Sequence, residues 1–588
     1  DQEFHPYELA RILGITVSPI LTLKKKGILQ WEQREVALDP FGDLLSVPAP
    51  VYKLTVEQKS AMDQLEPLLK PQHFSVTLLE GVTGSGKTEV YLRAIQKVVE
   101  QKQQAIVLVP EIALTPQTVA RFKQRFSRVA LLHSKLTDAQ RHYQWKYIFE
   151  GNADVVIGPR SAVFAPVQKL GVIILDEEHE TSFKQQNAPF YHAREVSIMR
   201  AKMEGAAVIL GTATPSLDTY HKACTKKYHH IKLTNRVYNQ SMPQVYVVDM
   251  GSEMRETKQF VLFSRLLKQS TNECLERKEQ AIFFLNRRGF STYLDCKQCG
   301  WVMKCAFCDV SMTFHKKMAR AICHYCNSDE APPESCPECH SSTVRYLGSG
   351  TEKIEALTQT IFPTARIARM DGDSMRSGNL YQKVLSQFQQ HEIDILIGTQ
   401  MIAKGFDFHN VTLVGVIHAD SALNFPDFRA AERTFQLLAQ VSGRTGRGGK
   451  RGLVVVQTFQ PEHYAIQKAS RGEYENFARE ELQFRENLGY PPFGFLMRIL
   501  IRGEENLAVQ KRAENIAEAI RKLATPEIEI LGPAPAPIMR IKNKFRFQLL
   551  AKSANPIALQ QLQRTCRKFL QSDEQIQCAV DVDPLAML

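Results

Sequence analysis

The chain has no run approaching the roughly 18 consecutive apolar residues that a bilayer crossing requires, which argues against a membrane-spanning helix and a membrane partner. Its first residues, Asp1-Gln2-Glu3-Phe4, carry neither an initiator Met nor the basic-then-apolar layout of a secretory signal. A cytoplasmic protein is expected, seen here without its natural beginning. Isolated cysteines are also few. Eight of the twelve fall in four C-x-x-C pairs between Cys296 and Cys339, which leaves Cys224, Cys274, Cys566 and Cys578 alone. That distribution excludes a disulfide scaffold and points to thiolate-bound metal in a reducing compartment. The four isolated cysteines read as buried free thiols. The remaining composition is ordinary for globular proteins, at 44% hydrophobic and 23% charged over 588 residues, enough chain for about four domains. A formal net charge of +12 suits a polyanionic partner but is weak evidence alone.

The strongest local signal is Ser75-Val-Thr-Leu-Leu-Glu80, a β-rich run leading into Gly81-Val-Thr-Gly-Ser-Gly-Lys-Thr88 with a helical pattern after it. This is the strand–loop–helix setting of a G-x-x-x-x-G-K-[ST] phosphate loop, in which Gly81, Gly84 and Gly86 let the backbone amides form an anion nest. Lys87 is placed to reach the β- and γ-phosphates of ATP, and Thr88 to bind Mg²⁺. A second apolar strand, Gly171–Leu175, runs into Asp176-Glu177-Glu178-His179. Acidic residues at the carboxyl end of a buried parallel strand face the ligand crevice of an open α/β sheet. Asp176 is expected to hold Mg²⁺ and Glu177 to orient and deprotonate the attacking water. Further strands at 105–109, 129–132, 154–157 and 206–210, then at 281–285, 366–370, 394–397, 411–417 and 452–457, predict two doubly wound parallel lobes. The second lobe carries Gln440-Val-Ser-Gly-Arg-Thr-Gly-Arg447, where Arg444 and Arg447 share a face if they lie on one helical turn. From there they would act as arginine fingers on ATP held between the lobes.

Each C-x-x-C pair can fill two corners of a tetrahedron, so four pairs make two Cys₄ zinc sites. Chain reach assigns Cys305, Cys308, Cys323 and Cys326 to an inner Zn²⁺, because fourteen residues separate Cys308 from Cys323. Cys296, Cys299, Cys336 and Cys339 then hold an outer Zn²⁺ nested around it. The insert reads as a structural surface attachment suited to touching DNA or a partner.

G-x-x-G-x-G-K-T, D-E-x-H, Gly211-Thr-Ala-Thr-Pro215 and Q-x-x-G-R-x-G-R together resemble superfamily 2 helicases of the DExH type. With eight cysteines in lobe two, Val109–Gln117, Phe183–Gln186, Tyr191–Arg194 and the Asp581-Val-Asp-Pro584 ending, the chain resembles the PriA (primosomal protein N′) family of replication-restart DNA helicases. The motif-based likeness runs from about residue 50 to the C-terminus. It implies that Gln58 reads adenine, that Thr212 and Thr214 couple hydrolysis to movement, and that Gly405 and Asp407 lie near the nucleotide with Thr399 near the strand. It also implies 3′→5′ unwinding, recognition of stalled or branched forks, and primosome assembly. The implied partners are single-stranded DNA, single-stranded-DNA-binding protein and other primosome proteins. The family's N-terminal domain for a strand's 3′ end is not found here.

The expected plan is a winged-helix-like segment at 1–50, helicase lobe 1 at 51–235, lobe 2 at 236–460 with the zinc insert at 294–341, and an α+β DNA- or partner-binding domain at 461–588. Helices at 6–13 and 17–27 with a wing at 28–38 would make the first. Lys24, Lys25 and Lys26 there fit a phosphate contact and a solvated helix end equally well. Residues 495–582 read β-α-β-β-α-β, the split βαβ plan, with basic and aromatic residues interleaved across a hairpin at 540–547. That hairpin suits a single strand, and equally a plain amphipathic turn. In the loop after Asp176-Glu177, Phe183, Phe190 and Tyr191 could stack on bases while Lys184 and Arg194 hold phosphates; alternatively these aromatics fill the lobe core. The motifs alone also serve a duplex translocase, an RNA enzyme or a fork-binding scaffold.

Overall fold

The computed structural model describes residues 6–29, 52–111, 116–134, 136–237, 243–258, 261–285, 294–296, 299, 301–306, 311–315, 320–323, 328–342, 344–346, 351–370, 378–399, 408, 410–445, 452–573, 575–585 and 587. Lobe one is a seven-stranded parallel sheet of β1 (Ser75–Gly81), β2 (Gln104–Leu108), β3 (Val129–Leu131), β4 (Val155–Gly158), β5 (Leu170–Asp176), β6 (Ala207–Thr212) and β7 (His229–Leu233), in the order β3-β4-β2-β5-β6-β1-β7. Its inner strands are largely apolar because both faces are covered, whereas the edge strand β7, His-His-Ile-Lys-Leu, is partly exposed. Alternate residues feed two separate cores: Val107, Val172 and Ile174 lie under one layer of helices, and Ile106, Ile173 and Leu175 under the other. Lobe two repeats the plan. β8 (Gln244–Asp249) and β9 (Gln280–Phe284) are followed by five short strands, β10 to β14 (Leu294–Cys296, Thr313–His315, Arg320–Ile322, Asp329–Glu330, Val344–Tyr346), which form the cysteine module. The sheet resumes with β15 (Ile367–Met370), β16 (Ile395–Gly398), β17 (Val411–Val416) and β18 (Leu453–Thr458), giving a parallel order β15-β16-β9-β17-β18-β8. These are two RecA-like lobes.

The C-terminal domain pairs β19 (Phe495–Gly503), β20 (Glu529–Ile541), β21 (Lys544–Ser553) and β22 (Ile576–Val582) antiparallel as β20-β21-β19-β22, with helices at Asn506–Leu523 and Pro556–Cys566. The β-α-β-β-α-β order expected over 495–582 is therefore present, with the second strand running on to Ile541. A two-residue hairpin joins it to β21, with Lys542 at φ 48° and Asn543 at φ 63°. Both residues are left-handed, as a type I′ turn requires.

Met497, Ile499 and Ile501 face the domain's own helices, whereas Leu496 and Leu550 pack on Leu294, Met303, Met312 and Phe314 of the cysteine module. The module is thus not a free surface attachment, because its apolar core is shared with the outer face of the C-terminal sheet. Helices Pro6–Ile12 and Val17–Lys25 are present at the N-terminus; of the expected wing only residues 28 and 29 are described.

Candidate ATP-hydrolysis site and nucleic-acid interface

The phosphate loop joins the end of β1 to the helix Lys87–Glu100, for which Gly86 is the N-cap. Gly84 and Gly86 adopt φ of 85° and 80°, a region glycine enters without steric cost. At Gly86 a side chain is also blocked, since a Cβ would lie 2.2 Å from Gln58 Nε2. Lys87 Nζ donates to the Gly81 carbonyl at 2.7 Å, folded back across the nest it would vacate for phosphate. Gln58 is buried; Thr55 N donates to its Oε1 at 3.0 Å, and its Nε2 donates to the Ser85 carbonyl at 2.9 Å. Its side chain ties the helix Val56–Leu65 to the loop.

Asp176 ends β5 and accepts a hydrogen bond from Tyr91 Oη at 3.0 Å. Burial, then the adjacent Glu177 charge, pushes the Asp176 carboxyl up to about 6, against the pull of Lys87. A divalent cation held by Asp176 and Thr88 would reverse that balance and supply the charge that phosphoryl transfer needs. Glu177 sits at φ 52°, an uncommon left-handed conformation for a residue with a side chain, and its buried Oε2 has no hydrogen-bond partner. Such strain costs of order 1–3 kcal/mol and gathers at functional sites. Glu178 is structural by contrast: Ser216 N donates to its Oε1 at 2.6 Å, and Arg194 and Thr219 donate to its Oε2 at 3.1 and 3.0 Å.

His179 joins the lobes. Gln440 Nε2 lies 2.8 Å from its Nε2, and Thr212 Oγ1 lies 2.7 Å from its Nδ1. With Gln440 donating, the ring proton sits on Nδ1 and is given to Thr212. Thr214 N also donates to Thr212 Oγ1 at 3.0 Å. Three residues beyond Gln440, Gly443 is held against the phosphate loop: a Cβ there would lie 2.8 Å from Thr83 Oγ1. The helix Ala430–Ser442 stops before Arg444, which stands on the turn after it. Arg447, its expected companion, lies outside the described residues, as do Gly405 and Asp407. Thr399 follows β16, half-buried.

The loop after β5 departs most from expectation. Phe183 is 1% exposed within a lobe-one core, and Tyr191 packs against that core, edge-on to Phe164 at 5.1 Å. Arg194 is buried on Glu178, and Lys184 is buried on Asp581 at 2.8 Å. Neither cation faces solvent for a phosphate in this arrangement; Phe190 remains half-exposed. Sequence reading missed a cleft of about 440 Å³ at the carboxyl ends of β2, β3 and β4, where Trp145, His133, Arg141 and Arg160 converge. The available signal was Trp145, 43% exposed on the polar helix Asp138–Phe149. Arg236 was missed as well; its side chain lies 3.8 Å from the Cβ position of Gly84, and Val237 N donates to the Gly84 carbonyl at 3.0 Å.

In the cysteine module, Cys296, Cys299, Cys336 and Cys339 bring their sulfurs within 4.8 Å of one another, with 3.5 Å between Cys296 and Cys339 and between Cys299 and Cys336. Sulfurs at tetrahedral corners 2.3 Å from zinc would be roughly 3.8 Å apart, so the donor set fits Zn²⁺. This is the outer set expected from spacing. Of the inner set, Cys305 and Cys323 are buried, while Cys308 and Cys326 lie outside the described residues.

Comparison with known proteins draws these parts together. Residues 55–223 match the DEAD/DEAH box helicase model and 340–449 the helicase conserved C-terminal domain. Residues 305–330 match the PriA DNA helicase Cys-rich region domain, and 486–585 the primosomal protein N C-terminal domain. Replication restart protein PriA of Bacillus subtilis is 43% identical over 585 residues, covering 99% of this chain and 72% of that protein. That of Synechocystis is 42% identical over 596 residues, covering 99% and 70%, and that of Haemophilus influenzae 40% over 558, covering 95% and 75%. The chain belongs to the PriA family. It is a DNA helicase of replication restart that uses ATP, Mg²⁺ and zinc. The PriA match takes in nearly all of residues 1–50, beyond the reach of the motif-based likeness.

Proposed function

We propose that this PriA-family helicase unwinds DNA 3′→5′ at stalled or branched forks, closing its two lobes on ATP at each step, and then recruits single-stranded-DNA-binding protein and primosome proteins in the cytoplasm. The buried Glu177 Oε2, which accepts no hydrogen bond and lies 3.7 Å from His179 Nδ1, carries the catalytic part of this reading. In it, Glu177 deprotonates water, Lys87 and Arg444 neutralise developing charge together with Arg447, and Asp176 and Thr88 hold Mg²⁺. Gln58, Gly81, Gly84, Gly86, Gly405 and Asp407 shape the nucleotide site; Thr212 and Thr214, through His179, report its state to lobe two. One strand runs over the cleft lined by Trp145 and Arg160, towards Phe190 and Thr399. Two Zn²⁺ occupy the nested cysteine sets.

Forked DNA with defined single-stranded arms, incubated with and without ATP, tests the function. Displacement of the strand ahead of a 3′→5′ motor, dependent on ATP, is expected. ATP turnover and movement along duplex without strand separation would make the protein a translocase instead.

A further inference from the structure

Lys184 is left unexplained by the motor chemistry. It opens a hairpin, Lys184–His192, which returns to the helix Ala193–Glu204; Lys184 and His192 pair in an antiparallel bridge, and Gln185 N donates to the Tyr191 carbonyl at 2.8 Å. Its ammonium is interior, where a lone cation is costly. Both partners come from the far end of the chain: Asp581 Oδ1 at 2.8 Å and the Val582 carbonyl at 2.7 Å. The Lys184 and Asp581 side chains are 5% and 8% exposed. Beyond Val582 the chain crosses to lobe two, where Arg429 donates to the Pro584 carbonyl at 2.9 Å and Arg433 to that of Leu585. Arg429 is the N-cap of the helix Ala430–Ser442, the helix that presents Gln440 to His179 and ends at Gly443 against Thr83. Five residues of the C-terminal tail thus join the hairpin of one lobe to the root of the helix that completes the ATP site from the other.

We infer that Asp581–Leu585 is a strap, and that Lys184 and Asp581 are a positioning pair restraining ATP hydrolysis until DNA phosphate draws Lys184 away. The carboxylate and carbonyl oxygens around the ammonium, at 2.7–2.8 Å, are what two non-bridging phosphate oxygens would offer in their place. One ammonium cannot serve both. Exchange does not strand the carboxylate, since Arg498 lies 3.7 Å from Asp581 Oδ2. With the hairpin released, the strap no longer adds to the direct Gln440–His179 and Glu432–Leu217 ties that hold the helix Ala430–Ser442 on lobe one, and the lobes move more freely through the ATP cycle. The inference rests on the hairpin being a DNA contact.

Asp581→Asn keeps the shape of the strap and removes its charge. ATP turnover with and without single-stranded DNA, the KM for ATP, and oligonucleotide affinity by anisotropy are the measurements. DNA-free kcat should rise at least about five-fold, the low end of coupling between sites, and oligonucleotide affinity should tighten by a similar factor. KM for ATP and the DNA-saturated rate should stay unchanged. Both rates falling together with the melting temperature would mean a merely structural pair and overturn the inference, as would an unchanged ratio of the two rates. A raised DNA-free rate without tighter binding upholds the strap while removing the hairpin as the phosphate contact. Lys184→Gln, which keeps a donor for the Val582 carbonyl and removes the charge, decides the case if Asp581→Asn melts early. A raised DNA-free rate that DNA stimulates less supports the strap, and an unchanged DNA-free rate refutes it.

Discussion

At the scale of single residues, the site separates groups that hold the fold from groups that wait for substrate. Glu177 Oε2 and Lys87 Nζ illustrate the second kind: the carboxylate oxygen has no hydrogen-bond partner, and the ammonium bonds a carbonyl of its own loop. Glu177→Gln should lower DNA-stimulated ATP turnover by about 10²–10⁴-fold, the ordinary contribution of a general base. DNA binding and melting temperature should stay near wild type, because no hydrogen bond is lost and the amide keeps its place 3.7 Å from His179 Nδ1. Lys87→Ala should behave likewise, and near-normal turnover in either variant would remove the proposed roles. Gly443 makes a different point. A methyl at this position meets Thr83 at 2.8–2.9 Å, tighter than side-chain contacts allow, so the helix bearing Gln440 must back away from the phosphate loop. Gly443→Ala should cut kcat about ten-fold, since misplacement by an ångström can cost a hundred-fold, without melting the protein. Unimpaired turnover would show that this close approach is not part of the catalytic arrangement. The phosphate-loop residues were legible because phosphate chemistry demands fixed spacing. The His179–Gln440 contact was not, because its members lie 261 residues apart and nothing local marks them as partners.

At the scale of elements, the buried strands were legible and their packing was not. Gly171–Leu175 reads as a strand because five apolar residues in a row must find cover on both faces. No such rule reveals which module covers Leu496 and Leu550 on the outer face of the C-terminal sheet, since alternate positions of β19 also carry Arg498 and Arg502. The loop at 181–194 was ambiguous for a related reason. Aromatics next to Lys and Arg look alike whether they meet bases or a core, and no local pattern reveals that Arg194 and Lys184 rest on Glu178 and Asp581. Because the cysteine module shares its core with the C-terminal sheet, losing the outer metal should loosen both. Cys336→Ser should release one zinc by elemental analysis and speed amide exchange along β19 and β21. DNA-independent ATP hydrolysis should persist, as the nucleotide cleft lies between the lobes. Retention of all zinc would refute the outer site, and unchanged exchange would refute the shared core.

At the scale of the molecule, the lobes are already engaged through buried polar groups and not through an apolar face alone. Glu432 of lobe two accepts from Leu217 N of lobe one at 2.9 Å through one oxygen and pairs with the buried Arg485 at 2.7 Å through the other. Tyr474 Oη donates to the Pro215 carbonyl at 2.8 Å, and the Tyr220 and Tyr474 rings meet edge-on at 5.2 Å. Pro215 and Leu217 follow Thr212 and Thr214, so the motif bonded to His179 is also the motif that grips lobe two. A buried carboxylate that spans two bodies serves alignment more than cohesion, because its desolvation cancels much of its attraction. Glu432→Gln keeps one acceptor for Leu217 and removes the charge facing Arg485, which retains Glu481 at 2.9 Å. The global loss should therefore fall below the roughly 3 kcal/mol that breaking a buried pair outright costs. Strand displacement should suffer more than stability does, with DNA-stimulated turnover falling several-fold as the lobes close out of register. Unwinding assays beside a melting curve check this: equal and proportionate losses in both would mean that Glu432 only holds the lobes together, whereas a selective loss of unwinding means that it aligns them.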